Sequence, residues 1–156
     1  WVKYTSDHIW TDGIIRVSDN VIMVKDHRTS ITSARKLAGK NIAVMSGYKY
    51  PSLDKMIKDG TVKAIQANRF ESLLRMVKFL RVDYGILDKN VANWTIQKQN
   101  LIFKKPLHIA TPGFDAVEFR IVMFSQKWAP VVQKFNKALA KFKSSNGWSK
   151  LLDKYR

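Results

Sequence analysis

Cysteine is absent from the 156 residues, which excludes disulfides, zinc–thiolate sites and thiol catalysis. Glutamate is nearly absent: only Glu71 and Glu118 occur, and Glu71 falls on the polar face of an expected helix, so paired-carboxylate hydrolysis is not indicated. The histidines His8, His27 and His108 are far apart and match no metal-ligand spacing such as HExxH. There is no GxSxG nucleophile elbow, no Walker motif and no GxGxxG fingerprint. No catalytic residue, metal or cofactor is therefore expected. No apolar run approaches the roughly 18 residues that would cross a bilayer as a helix. The sequence opens on Trp1 without an initiator methionine or a signal peptide, and reads as a processed protein or a fragment.

Negative charge is also scarce. Twelve acidic residues face 28 Lys and Arg, for a formal charge of +16. Such a balance suggests an anionic partner: nucleic acid, a membrane surface or an acidic small molecule. Because the lysines are spread along the chain, the other reading is a basic exterior with no dedicated partner. Hydrophobic content of 46% and aromatic content of 12% argue for an ordered, globular chain with a real core.

The chain is organised around residues 37–53, LAGKNIAVMSGYKYPSL. An apolar run at 42–45 ends at Ser46-Gly47 and leads through Pro51-Ser52 into an amphipathic segment, which predicts strand, glycine turn and helix start. Free backbone N–H groups and the positive end of a helix dipole meet at such a turn and attract an anionic group. Residues 81–94, RVDYGILDKNVANW, repeat this grammar with Asp88 at the strand end. Two strand ends on one parallel sheet open on the same side, where α/β folds bind ligands. Tyr48, Lys49 and Tyr50 crowd the first turn. They suit a ligand with an acid group, or equally they pack and solvate the turn. Asp88 would hold a ligand ammonium, or cap the helix after it.

The rest of the chain fits the same class. The β-rich runs IIRV and VIMVK flank Ser18-Asp19-Asn20 and predict a hairpin or one broken strand. Further strands are expected over 62–65, 83–87, 101–109 and 119–124, and helices over 51–60, 69–80 and 89–97. A long helix after Pro130 is expected to bury Val131, Val132, Phe135, Ala138, Leu139 and Phe142. Its lysines Lys134, Lys137 and Lys141 are read as a solvated face rather than a phosphate track, since no aromatics interleave with them. Asn146-Gly147 is expected to break it before a last helix. Strand–helix alternation of this kind predicts an α/β lobe with a mixed or mainly parallel sheet flanked by helices.

The order L-A-G-K-N-I-A-V-M-S-G-Y, then Gly60-Thr61-Val62, then R-V-D-Y-G-I-L-D resembles the extracytoplasmic solute-binding proteins of family 3, which serve ABC transporters for amino acids and related polar solutes. The ending N-G-W-S-K-L-L-D-K-Y is similar to that family's last helix. The resemblance implies the second lobe of a type-II periplasmic-binding fold: a lead-in over 1–12, a ligand-binding lobe over 13–110, and a return strand with C-terminal helices over 111–156. It implies that Gly47, Tyr48 and Lys49 bind a ligand carboxylate, with Tyr50 shaping the pocket, and that Asp88 takes an α-ammonium. The family's usual threonine after the glycine is Tyr48 here, and its usual glycine before R-V-D is Leu80. The implied setting is periplasmic or otherwise extracytoplasmic. The implied partners are a small polar or anionic solute, a membrane ABC permease, and a first lobe or second copy of the chain to complete the clamp. Two other readings are a sensor or non-catalytic module of the same fold in a signalling or cell-wall protein, and a basic nucleic-acid-binding module, with nucleic acid the less expected partner.

Overall fold

The computed structural model describes residues 6–24, 31, 33–98, 106–111 and 113–154. The chain divides into a body formed by Ser18–Ala116 and a second body formed by the flanking stretches, up to Val17 and from Val117.

The Ser18–Ala116 body is built on a mixed sheet. Its strands are β2 (Ile15–Val24), β3 (Asn41–Met45), β4 (Lys63–Ala67), β5 (Tyr84–Leu87) and β6 (Leu107–Ile109), while β1 (Ile9–Trp10) belongs to the flanking body. The spatial order is β4-β3-β5-β2-β6, with β7 (Phe114–Phe119) also paired to β2. Strand β3 runs parallel to both β4 and β5. Strand β2 lies antiparallel to β5 and to β6, so β4, β3, β5 and β6 share one direction and β2 opposes them. The central strands are fully apolar where they are covered on both faces: Ile42 and Ala43 are completely buried, as is Ile86.

Helices α1 (Pro51–Lys58), α2 (Phe70–Lys78) and α3 (Lys89–Lys98) cover the sheet. Leu53 of α1 enters one core cluster with Ile42, Val44 and Ile86. Leu73, Leu74 and Val77 of α2 and Ala92 of α3 enter the other, with Ala43 and Met45. Helix α2 sits directly on β5 at Gly85, where an added Cβ would lie 2.7 Å from a Leu73 methyl and 2.8 Å from a Val77 methyl. Glycine is needed there for close approach.

Several expectations meet a different outcome. Of the two readings of the stretch around Ser18-Asp19-Asn20, the hairpin is not formed: the stretch is one strand, β2, and it runs through the triplet without the expected break, because Asn20 is held in register with Leu87 and buried there. Residues 119–124 do not form one strand: β7 ends at Phe119 and a separate β8 (Val122–Met123) pairs antiparallel with β1. The expected strand over 101–109 is seen only as β6, since 101–105 lie outside the described residues, as does the 26–30 loop.

In the flanking body, Ile9 pairs with Met123 and Trp10 with Val122. Helix α4 (Ala129–Lys143) stops before Ser145, whose hydroxyl accepts from the Gly147 N–H at 3.2 Å and caps α5 (Asn146–Asp153). Asn146-Gly147 thus opens the last helix rather than breaking the previous one. Of the six α4 residues expected to be buried, only Val132 is; Val131 and Phe142 are exposed. Among the described residues no helix is long and apolar enough to cross a membrane.

Candidate ligand-binding site

Parallel neighbours end at the same edge, so the turn after β3 and the turn after β5 share one side of the sheet. The β3 turn is tight: Gly47 has φ +78°, and the Tyr48 N–H donates to the Met45 carbonyl at 3.3 Å. The Ser46 N–H donates to the Ala67 carbonyl at 2.9 Å, tying the turn to β4. Among the described residues the Gly47 and Lys49 amides have no acceptor, and both residues are exposed.

Tyr50 is a wall of the core rather than of an open pocket. It is 3% exposed, and its phenolic oxygen accepts from the Met45 N–H at 2.9 Å. Burial pushes that phenol up to about 12. Tyr48 stacks on it with ring centroids 6.4 Å apart and stays 55% exposed. Lys49 is exposed.

The N-terminus of α1 attracts an anion, as its position dictates, and the anion is intramolecular. Pro51 has no N–H to offer, and the Ser52 N–H donates to Asp115 Oδ2 at 2.8 Å while its hydroxyl donates to the other carboxylate oxygen. Asp115, at the start of β7, adopts φ +50° to reach it. Asp54 accepts from the Tyr50 N–H at 3.3 Å.

Asp88 caps α3. Its Oδ1 accepts from the Asn90 N–H at 2.8 Å and the Val91 N–H at 3.2 Å, and its Oδ2 accepts from the Ser18 N–H at 3.3 Å. Asn20 locks the same corner: its amide donates to the Ala110 carbonyl at 2.9 Å and its oxygen accepts from the Lys89 N–H at 3.2 Å.

Asp19 lies in β2 between Ser18 and Asn20, which bond to Asp88 and to the Lys89 N–H. Its carboxyl is raised to about 7, first by burial and then by Asp115, Asp88 and Asp54, and its charge is also felt by Tyr50. Sequence reasoning passed over Asp19, Asp54 and Asp115. The available signal was partial: in a chain with 12 acids, Asp88 stands at the end of a predicted strand and Asp54 in the first turn of a predicted helix, while Asp19 and Asp115 fall in expected turns or loops. The set offers acceptors for a cationic group, two amides without an acceptor for an acid group and an exposed aromatic face. Among the described residues none of the His, Asp and Glu groupings is arranged to hold a metal ion.

No protein-family profile matches the sequence, and no curated protein is similar to it at a significant level. Solved structures are similar. One is a mutant of ArgBP from T. maritima, at TM-score 0.68 and 18% identity over 96% of this chain and 62% of that one. A second is an ancestral arginine-binding protein bound to arginine, at TM-score 0.68 and 22% identity over 95% and 64%. A third is the amino acid ABC transporter substrate-binding protein AbpA from Streptococcus pneumoniae bound to L-arginine, at TM-score 0.68 and 19% identity over 96% and 61%. The chain spans about three fifths of the length of these proteins. Its mixed sheet and flanking helices are those of the periplasmic-binding-protein fold seen in amino-acid-binding proteins.

Proposed function

We propose that this chain is one lobe of an extracytoplasmic binding protein that captures a small polar solute without covalent chemistry and serves an ABC permease. The solute carries a cationic group and an acid group, as an amino acid does. Asp88 and Asp19 receive the cation, the Gly47 and Lys49 amides with the Lys49 ammonium receive the acid, and Tyr48 covers the solute's apolar stem. The observation carrying this reading is the placement of the β3 turn, with its two unpaired and exposed amides, and the Asp88 turn at one sheet edge. Three similar structures are described as arginine-binding or with arginine bound, which makes arginine the first solute to try.

Tight capture needs a partner lobe, from a longer form of the protein or from a second copy; the single lobe binds weakly. The flanking body supports such a partner, because it leaves Phe119 61% exposed, Phe124 68% and Val131 49%, three large apolar side chains open to further packing.

Thermal unfolding with L-arginine, L-glutamine and acetate tests the proposal. A solute at 100 times its Kd adds about 2.7 kcal/mol, several degrees for a domain of this size. The rise should be lost in Tyr48→Ala and Asp88→Asn. Since Asp19 ionises near 7, a cationic solute should stabilise more at pH 8 than at pH 6. A response to acetate equal to that of both amino acids, or one indifferent to Tyr48 and Asp88, would overturn the assignment.

A further inference from the structure

The C-terminal end of α2 presents two large apolar side chains to solvent: Phe79 is 62% exposed and Leu80 63%. The backbone forms a Schellman turn, with the Leu80 N–H donating to the Val77 carbonyl at 3.1 Å and the Arg81 N–H to the Met76 carbonyl at 2.9 Å. The position between them is left-handed, and Leu80 occupies it at φ +55°. Helix α1 closes with Gly60 at φ +77°. Leucine at such a site is disfavoured both by strain and by exposure.

Cations surround the pair. Lys78 Nζ lies 5.5 Å from the Phe79 ring centroid. Arg75 and Arg81 are exposed, and neither is paired with a carboxylate among the described residues. With Ser72, Met76 and Phe79 they line a groove of about 250 Å³.

We propose that this helix end docks on an anionic membrane surface. Phe79 and Leu80 enter the boundary between headgroups and acyl chains, while Arg75, Lys78 and Arg81 meet lipid phosphates. Charge complementarity selects this occupant: the tip is cationic on a chain of +16, and a negative leaflet attracts each nearby Lys or Arg. A projecting apolar pair needs no shape-matched cavity in a bilayer. A nucleic acid would stack on Phe79 but give the aliphatic Leu80 no role.

The test is co-sedimentation of the full chain with vesicles of phosphatidylglycerol and phosphatidylcholine, against pure phosphatidylcholine, in low and moderate salt. Binding to the anionic vesicles is expected, about fivefold weaker for each of Arg75→Gln and Arg81→Gln, hence about 25-fold for the pair. Leu80→Gly should weaken binding about tenfold while its Tm holds or rises, which separates lost docking from unfolding. No sedimentation with anionic vesicles, or equal binding by wild type and all three variants, overturns the proposal, the latter in favour of diffuse charge. A single-stranded oligonucleotide held through Arg75 and Arg81 without any vesicle binding would replace the membrane with nucleic acid. The readout needs no small solute, so it stands apart from the function proposed above.

Discussion

Two regions of the Ser18–Ala116 body carry opposite chemistry. At the ends of β3 and β5, Asp19, Asp54, Asp88 and Asp115 gather on a chain with 28 basic residues and 12 acidic ones. At the end of α2, Arg75, Lys78 and Arg81 surround two exposed apolar side chains. The carboxylates of Asp54, Asp88 and Asp115 are engaged by backbone N–H groups at helix starts. Arg75 and Arg81 have no such partner among the described residues. Net charge therefore describes the exterior of this protein and says little about its strand-end corner, where backbone donors decide which sign collects.

Both regions rest on β5, which carries Asp88 at one end and bears α2 on its face. The strongest way to break the comparison is to remove that support. Leu73→Ala empties a fully buried site under α2 and should cost about 2–5 kcal/mol in urea unfolding. Both regions should weaken together.

The next effect isolates the acidic corner. The folded pKa of Asp19, about 7, lies above the unstructured value of 3.8, so between these values the folded state binds more protons than the unfolded state. Stability contributed by this group is present at low pH and is lost as pH rises through 7. Asp19→Asn should stabilise the chain at pH 8 by roughly 1–2 kcal/mol, after discounting for partial exposure, and make no difference near pH 3. Urea midpoints at the two pH values check the sign. A cationic solute should offset the same repulsion in the wild type.

The smallest effect sharpens the other region. Leu80→Gly should stabilise by about 1 kcal/mol, because glycine takes φ +55° without a Cβ clash. A stability gain by a change that weakens vesicle binding would mark Leu80 as a residue kept for a surface role.

Much of the fold was legible because local patterns carried it. Strand β3 runs over the residues its apolar run indicates, and α1 ends at the expected Gly60. Helix α2 buries Leu73, Leu74 and Val77, which its 3.6-residue period singles out. Ser18-Asp19-Asn20 was legible only as a choice between a hairpin and one broken strand, since a turn-prone triplet continues a strand only when Leu87 and Ala110 supply its partners. Helix α4 misled for the opposite reason: its period shows an apolar face, but periodicity does not say whether anything covers that face.

The candidate site divides the same way. The Gly47 turn and Asp88 could be placed at strand ends from sequence, because turn chemistry and apolar runs are local. That the anion at the start of α1 is Asp115, 63 residues beyond Ser52, could not. Nor could the neutralising environment of Asp19, which depends on carboxylates at 54, 88 and 115. The sequence by itself determined the alternation of strands and helices, the glycine turn and the basic exterior. Only the tertiary structure decided which carboxylates meet and which helix end is left uncovered, because register and crossover bring together groups that no local pattern relates.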